Sequence, residues 1–142
     1  AFVPYIRQMI PGSTLPPRDR EVLVIRTLAI CGDEYEAAHH VQIALKAGLS
    51  ETEIAAAAVA DPSLPAWDRL LVDAAGELVR SQCLADPAWA ALAECYSDEQ
   101  IMEVVMLVGC YTVMAMATKS FGMALESDPS VDERLRELRQ YT

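Results

Sequence analysis

Punctuation constrains this chain more than any other feature. Proline, glycine and capping residues cut it into helix-length pieces, and nothing between them alternates apolar and polar residues as a half-buried strand would. Pro16-Pro17 can open a helix that runs through about Ile30, because proline is tolerated in a first turn, and Gly32 ends it. Asp33 caps a second helix that closes at Gly48. Ser50-Glu51-Thr52-Glu53 is a capping box before a short Ala-rich helix stopped by Asp61-Pro62. Pro65 starts a helix to about Gln82, and Pro87 a short one to about Cys95. A second capping box, Ser97-Asp98-Glu99-Gln100, precedes a long apolar helix to about Ser120, broken by Gly122 and then Ser127-Asp128-Pro129. The charged tail from Val131 to Gln140 suits a surface helix or an arm onto a neighbouring subunit. The expected fold class is all-α.

With 142 residues and 53% hydrophobic content, the chain is expected to form one domain over 1–142 with a core that needs no disulfide framework. A formal charge of -10 on only 11 Lys and Arg repels phosphate backbones and anionic headgroups, so neither nucleic acid nor a membrane surface is an expected partner. Cys31, Cys83, Cys95 and Cys110 form no C-x-x-C pair and no zinc spacing, which fits plain thiols in a reducing cytoplasm. Ala1-Phe2-Val3-Pro4-Tyr5 does not read as a signal peptide. The apolar run from Val104 to Ala117 falls short of the roughly 20 residues a bilayer span requires, and so reads as a buried helix.

Against this scaffold a few polar residues stand out. Glu21 shares a helical stripe with Val24, Ile25, Leu28 and Ala29, where an ionised carboxylate is costly unless paired. A weak repeat, Pro-x-x-Asp-Arg at 16–20 and 65–69, sets Leu70 opposite Glu21 and marks Glu21 as the exception. Glu36 and His40 lie four apart on one face of the second helix and are expected to hydrogen-bond, which would orient the imidazole as a general base. Two blander readings stay open: Glu21 bends out to solvent near its helix start, and Asp33-x-x-Glu36 is a capping box with His40 at the core edge. His39 points about 100° away from His40, toward solvent. No H-E-x-x-H pattern occurs and only His40 joins the glutamates on a common face, so no metal or other cofactor is expected. Cys31 precedes the second helix and reads as a structural thiol, while Tyr111 and Met102, Met106, Met114, Met116 and Met123 suit core or interface packing and an adaptable pocket wall.

Leu15-Pro16-Pro17-Arg18-Asp19-Arg20-Glu21, Glu34-Tyr35-Glu36-Ala37-Ala38-His39-His40 and Ala47-Gly48-Leu49-Ser50-Glu51-Thr52-Glu53-Ile54 together resemble the carboxymuconolactone decarboxylase family, which includes the alkylhydroperoxidase D-like proteins. Trp89-Ala90-Ala91-Leu92, Ser97-Asp98-Glu99-Gln100 and Val104 to Tyr111 extend the likeness over nearly the whole chain. The resemblance implies an alkylhydroperoxidase D-like helical bundle, a homotrimer or homohexamer, with its polar site near the start of the second helix. Peroxidase members use C-x-x-C followed by His with an upstream Glu. Here Asp33 and Glu36 stand at the two cysteine positions, so disulfide formation has no thiol pair to run on. Decarboxylase members keep a Glu four residues before the His, as Glu36 and His40 do, but do not generally carry Glu21. An anionic lactone would then require Glu21 to be protonated or paired with an arginine such as Arg18 or Arg26.

The resulting expectation is a cofactor-independent lyase or isomerase that moves protons at carbon on a small oxygenated acid or lactone. His40 is the acid/base, Glu36 and Glu21 assist it, and Arg18, Arg26 and Tyr111 contact substrate. The rivals are a non-catalytic binding or partner protein of the same fold and, third, a thiol peroxidase using Cys31.

Overall fold

The computed structural model describes residues 4–5 and 12–123; the breaker at Ser127-Asp128-Pro129 and the charged stretch 131–140 lie outside the described residues. Six helices and no strand occur among them: α1 (Pro17–Cys31), α2 (Glu34–Lys46), α3 (Glu51–Val59), α4 (Ala66–Ser81), α5 (Asp86–Ala93) and α6 (Asp98–Ser120). Each starts and stops within about two residues of its cap or breaker. Both expected capping boxes form, Ser50 with Glu53 and Ser97 with Gln100.

The turn between α1 and α2 differs from expectation in an informative way. Gly32 takes the left-handed conformation (φ 63°), and the Asp33 N–H donates to the Leu28 carbonyl at 3.1 Å, closing α1. The Asp33 carboxylate in turn accepts the Glu36 N–H at 3.1 Å and caps α2. A full capping box would need the Glu36 carboxylate to receive the Asp33 N–H, which α1 has already taken. Asp33 is the cap, and the Glu36 side chain is left free of it. Thr118 of α6 donates its hydroxyl to the other Asp33 oxygen at 2.8 Å, and Lys119 donates to the Cys31 carbonyl at 2.6 Å, so three helices meet at this turn.

Helix α1 is the axis of the core. Val22, Leu23, Val24 and Leu28 are buried against Leu71, Val72 and Ala75 of α4, Ala57 of α3 and Ile101, Val104, Leu107 and Tyr111 of α6. Each fully buried aliphatic side chain contributes roughly 1.5–3 kcal/mol. The short internal repeat has a structural counterpart: Arg18 donates to Asp68 through both terminal nitrogens (2.7 and 2.8 Å), and Trp67 donates to Asp19 (2.9 Å). Each repeat's aspartate thus binds the residue that precedes the other's aspartate. Tyr96 adds a second donor to Asp19 at 2.6 Å, and Glu53 a second carboxylate to Arg18 at 2.7 Å.

Helix α6 corrects one sequence expectation. At 23 residues and high hydropathy it is long and apolar enough to span a bilayer, although the uninterrupted apolar run within it is shorter. Its packing explains the composition. Ile101, Val104, Leu107, Val108 and Tyr111 face the core, while Met102, Met106, Val113 and Met116 are exposed.

Asp33→Ala removes the α2 cap and a buried acceptor of Thr118, and is expected to cost about 1–2 kcal/mol, read as a lower urea midpoint at unchanged m-value.

Candidate active site

Glu21 is 1% exposed, at the centre of the structure. Its carboxylate accepts a hydrogen bond from Nδ1 of His40, itself 5% exposed, at 2.7 Å. The expected neighbour of His40 was Glu36, and the structure replaces it. Glu36 makes no side-chain hydrogen bond among the described residues; it shares a helix face with His40, but the ring's Nδ1 is taken by Glu21 from α1. Glu21 therefore does not bend out to solvent, and His40 is more than an edge residue.

The bond decides the ring's chemistry. A carboxylate on Nδ1 fixes the neutral imidazole with its proton there, so Nε2 carries the lone pair. Nε2 has no hydrogen-bond partner among the described residues and is not sealed off, because the one buried side-chain nitrogen or oxygen left unpaired is Arg26 Nε. A base with one oriented edge and one open edge results.

Three more groups surround it. Tyr111 of α6 meets the His40 ring edge-on, with centroids 4.9 Å apart and planes at 89°, and its hydroxyl makes no hydrogen bond among the described residues. Burial, and next the negative charge of Glu21, push the Tyr111 phenol well above its usual range, so it stays a neutral donor. Arg20 places Nε 3.4 Å from the second Glu21 oxygen. The arginine beside Glu21 is thus Arg20, where Arg18 or Arg26 was expected. Sequence offered no signal for this, because residues 20 and 21 point about 100° apart on a helix. Glu36 is half-buried one turn before His40; burial raises its pKa, the nearby His40 works against this, and Asp33 adds to it.

The other expected site residues lie elsewhere. Arg18 is occupied by Asp68 and Glu53, and Arg26 donates to the Ala58 carbonyl at 2.6 Å. His39 is exposed, with Nδ1 2.8 Å from the Tyr35 carbonyl, as its helical phase implied. All four cysteines are free, and Cys110 is buried, which pushes its thiol pKa up. No cluster of three or more His, Cys, Asp or Glu suited to a metal occurs among the described residues. A separate cavity of about 480 Å³ between α1, α2 and α3 is walled by Ile25, Ala29, Ala37, Val41 and Ile54; it includes none of Glu21, Glu36, His40 or Tyr111.

Because the Glu36 pKa is raised in the fold, the folded state binds this proton more tightly than the unfolded chain. Glu36 therefore stabilises the fold below its unfolded pKa, about 4.3, and that contribution is lost as pH rises through the folded value. Glu36→Gln is expected to gain melting temperature relative to wild type as pH rises above about 4.3 and to level off once Glu36 is ionised in the fold; a pH-independent difference would contradict the sign.

Comparison with known proteins gives the family and the fold. The family model described as "Carboxymuconolactone decarboxylase family" matches residues 1–80, which include Glu21, Glu36 and His40. Among solved structures, the fold matches a protein of unknown function from Agrobacterium tumefaciens, described as a "Putative Antioxidant Defence Protein AhpD", with a TM-score of 0.76 and 22% identity over 89% of both chains. No curated protein matches significantly. The architecture is an AhpD-like all-helical fold, and the chain belongs to the carboxymuconolactone decarboxylase family.

Proposed function

We propose that the protein is a cofactor-independent lyase or isomerase that transfers a proton at carbon on a small, oxygenated, cyclic acid or lactone. The observation that carries this reading is the 2.7 Å bond between His40 Nδ1 and Glu21, which leaves Nε2 unpartnered. In a decarboxylation, the bond from substrate carbon to carboxylate breaks, carbon dioxide leaves, and the electron pair moves into the conjugated carbonyl. Nε2 of His40 first takes a proton from the substrate acid or from water, and the resulting imidazolium delivers it to carbon, which restores the neutral base. Glu21 stabilises the imidazolium, the neutral Tyr111 hydroxyl donates to the oxygen on which negative charge gathers, and Glu36 relays the one proton consumed per turnover from solvent to Nε2. Arg20 offsets the Glu21 charge that would otherwise repel an anionic substrate.

The thiol route has less support. Asp33 stands at the first cysteine position of the peroxidase pattern and is committed to capping α2 and accepting from Thr118. The competing reading is a non-catalytic binding or partner protein of the same fold. It is favoured by the separate, mostly apolar cavity, which would hold a small molecule away from His40, with Glu34 and Glu51 as its only charged lining residues. A homotrimer or homohexamer is part of the proposal, supported by the exposed row Met102, Met106, Val113 and Met116 on α6. A cytoplasmic location is proposed on the four unpaired thiols.

Two variants test the reaction. Carbon dioxide release from 4-carboxymuconolactone, the substrate that gives the family its name, is followed for the wild type, His40→Ala and His40→Asn. Asparagine keeps an N–H toward Glu21 and so guards the fold, yet offers no base at Nε2. Both variants are expected to lose 10² to 10⁴-fold in kcat/KM, about 3–5 kcal/mol. Turnover within about threefold of wild type in folded His40→Asn would remove His40 from the mechanism. Tyr111→Phe is expected to lower kcat about 10-fold or more with little change in KM, the signature of an interaction made in the transition state. Turnover of related lactones but not this one would redirect the substrate and leave the roles intact.

A further inference from the structure

On the flank of the molecule away from His40, α1 and α4 enclose a cavity of about 300 Å³ lined by Arg26, Val72, Asp73, Gly76, Glu77 and Arg80, with Ser81 at its rim. Arg26 lies roughly 140° around α1 from Glu21, so this space is distinct from the acid/base site. Three local costs coincide here. Gly76 sits mid-helix in α4, where glycine is about 1 kcal/mol worse than alanine. A Cβ built at Gly76 would lie 2.9 Å from Nη1 of Arg80, so the Arg80 guanidinium folds back over the bare backbone at Gly76 and its tip would have to shift for an alanine. Arg26 Nε is buried with no hydrogen-bond partner, the one such side-chain atom among the described residues.

The carboxylates in this wall do not resolve these costs. Glu77 could pair with Arg80 one turn on, but its Oε2 accepts the Ala85 N–H at 2.9 Å. The ion pairs among the described residues involve Arg18, Arg20 and His40, so neither Asp73 nor Glu77 reaches ion-pair distance of Arg26 or Arg80. Burial, and then the Arg80 charge, lower the Arg26 pKa, with Asp73 opposing them, which is the mark of two like charges facing one space. In a chain of net charge -10, two converging guanidiniums without carboxylate partners are an anomaly. Arg26 Nη1 is held by the Ala58 carbonyl and its Nε is sealed from solvent, so Nη2 of Arg26 and the Arg80 guanidinium are the donors left for this space.

We infer that Arg26, Arg80 and the space left by Gly76 form a binding site for a small oxyanion, such as phosphate or a short dicarboxylate, separate from the proposed active site. The planar Arg80 fork suits paired oxygens, Nη2 of Arg26 adds a further donor, and an anion held between them ties α1 to α4. Saturable binding is read by isothermal titration calorimetry on the full chain, with sodium phosphate and sodium succinate titrated separately at constant ionic strength and sodium chloride as the reference. The expected result is saturable heat from at least one of the two, weakened about 10-fold or more in Arg80→Gln, as for loss of a charged hydrogen-bond donor. Gly76→Ala, which improves the helix but displaces Arg80, is expected to weaken it similarly, and His40→Asn to leave it unchanged. Which anion binds identifies the chemistry of the ligand. The assignment is overturned if neither anion gives saturable heat, if Arg80→Gln and Gly76→Ala bind as wild type, or if His40→Asn abolishes binding, which would place the anion in the active site instead.

Discussion

The arrangement of these helices depends on one buried carboxylate. Glu21 lies on the helix that every other large element packs against, and an unpaired charge there would cost several kcal/mol against a typical total stability of 5–15 kcal/mol. His40 meets that demand, and in doing so it sets the rotation of α2 about its own axis. With the ring turned inward to Glu21, Tyr111 of α6 packs edge-on against it and Glu36 is carried to the rim of the same space. The bond that satisfies the core is also the bond that orients the proposed base. Packing and chemistry are the same constraint at this position.

The turn that delivers α2 to this bond is equally determined. Gly32 and Asp33 end one helix and start the next within two residues, and the Asp33 backbone N–H is consumed in closing α1. That small accounting fact releases the Glu36 carboxylate from capping duty. Asp33, by contrast, is held on both oxygens, by the Glu36 N–H and the Thr118 hydroxyl. Two acidic residues that occupy equivalent positions in a thiol pattern thus have opposite fates, one structural and one available for chemistry.

Much of the fold was legible in the chain because the signals are local. Proline in first turns, the Ser50 and Ser97 capping boxes and Gly32 act through hydrogen bonds within a few residues, and the helix ends followed them. The anomaly of Glu21 was also legible, since a charge in an apolar stripe breaks the pattern of its own helix. What answered that anomaly was not. Glu36 was the nearest candidate in sequence, yet the imidazole found Glu21, nineteen residues away, because the hydrogen bond depends on the approach of two helix axes. Arg18 similarly went to Asp68 and Glu53, where two repeats of a short motif cross.

The sequence alone determined that this chain is helical, where its helices begin and end, and that Glu21, Glu36 and His40 are the polar residues most in need of explanation. These follow from backbone hydrogen bonding and from the cost of burying charge, which act residue by residue. Tertiary structure decided which carboxylate holds His40, which arginine sits beside it, and that Arg26 and Arg80 share a cavity with no carboxylate partner. Those outcomes depend on distances between helices, and such distances are set by the packing of the whole core.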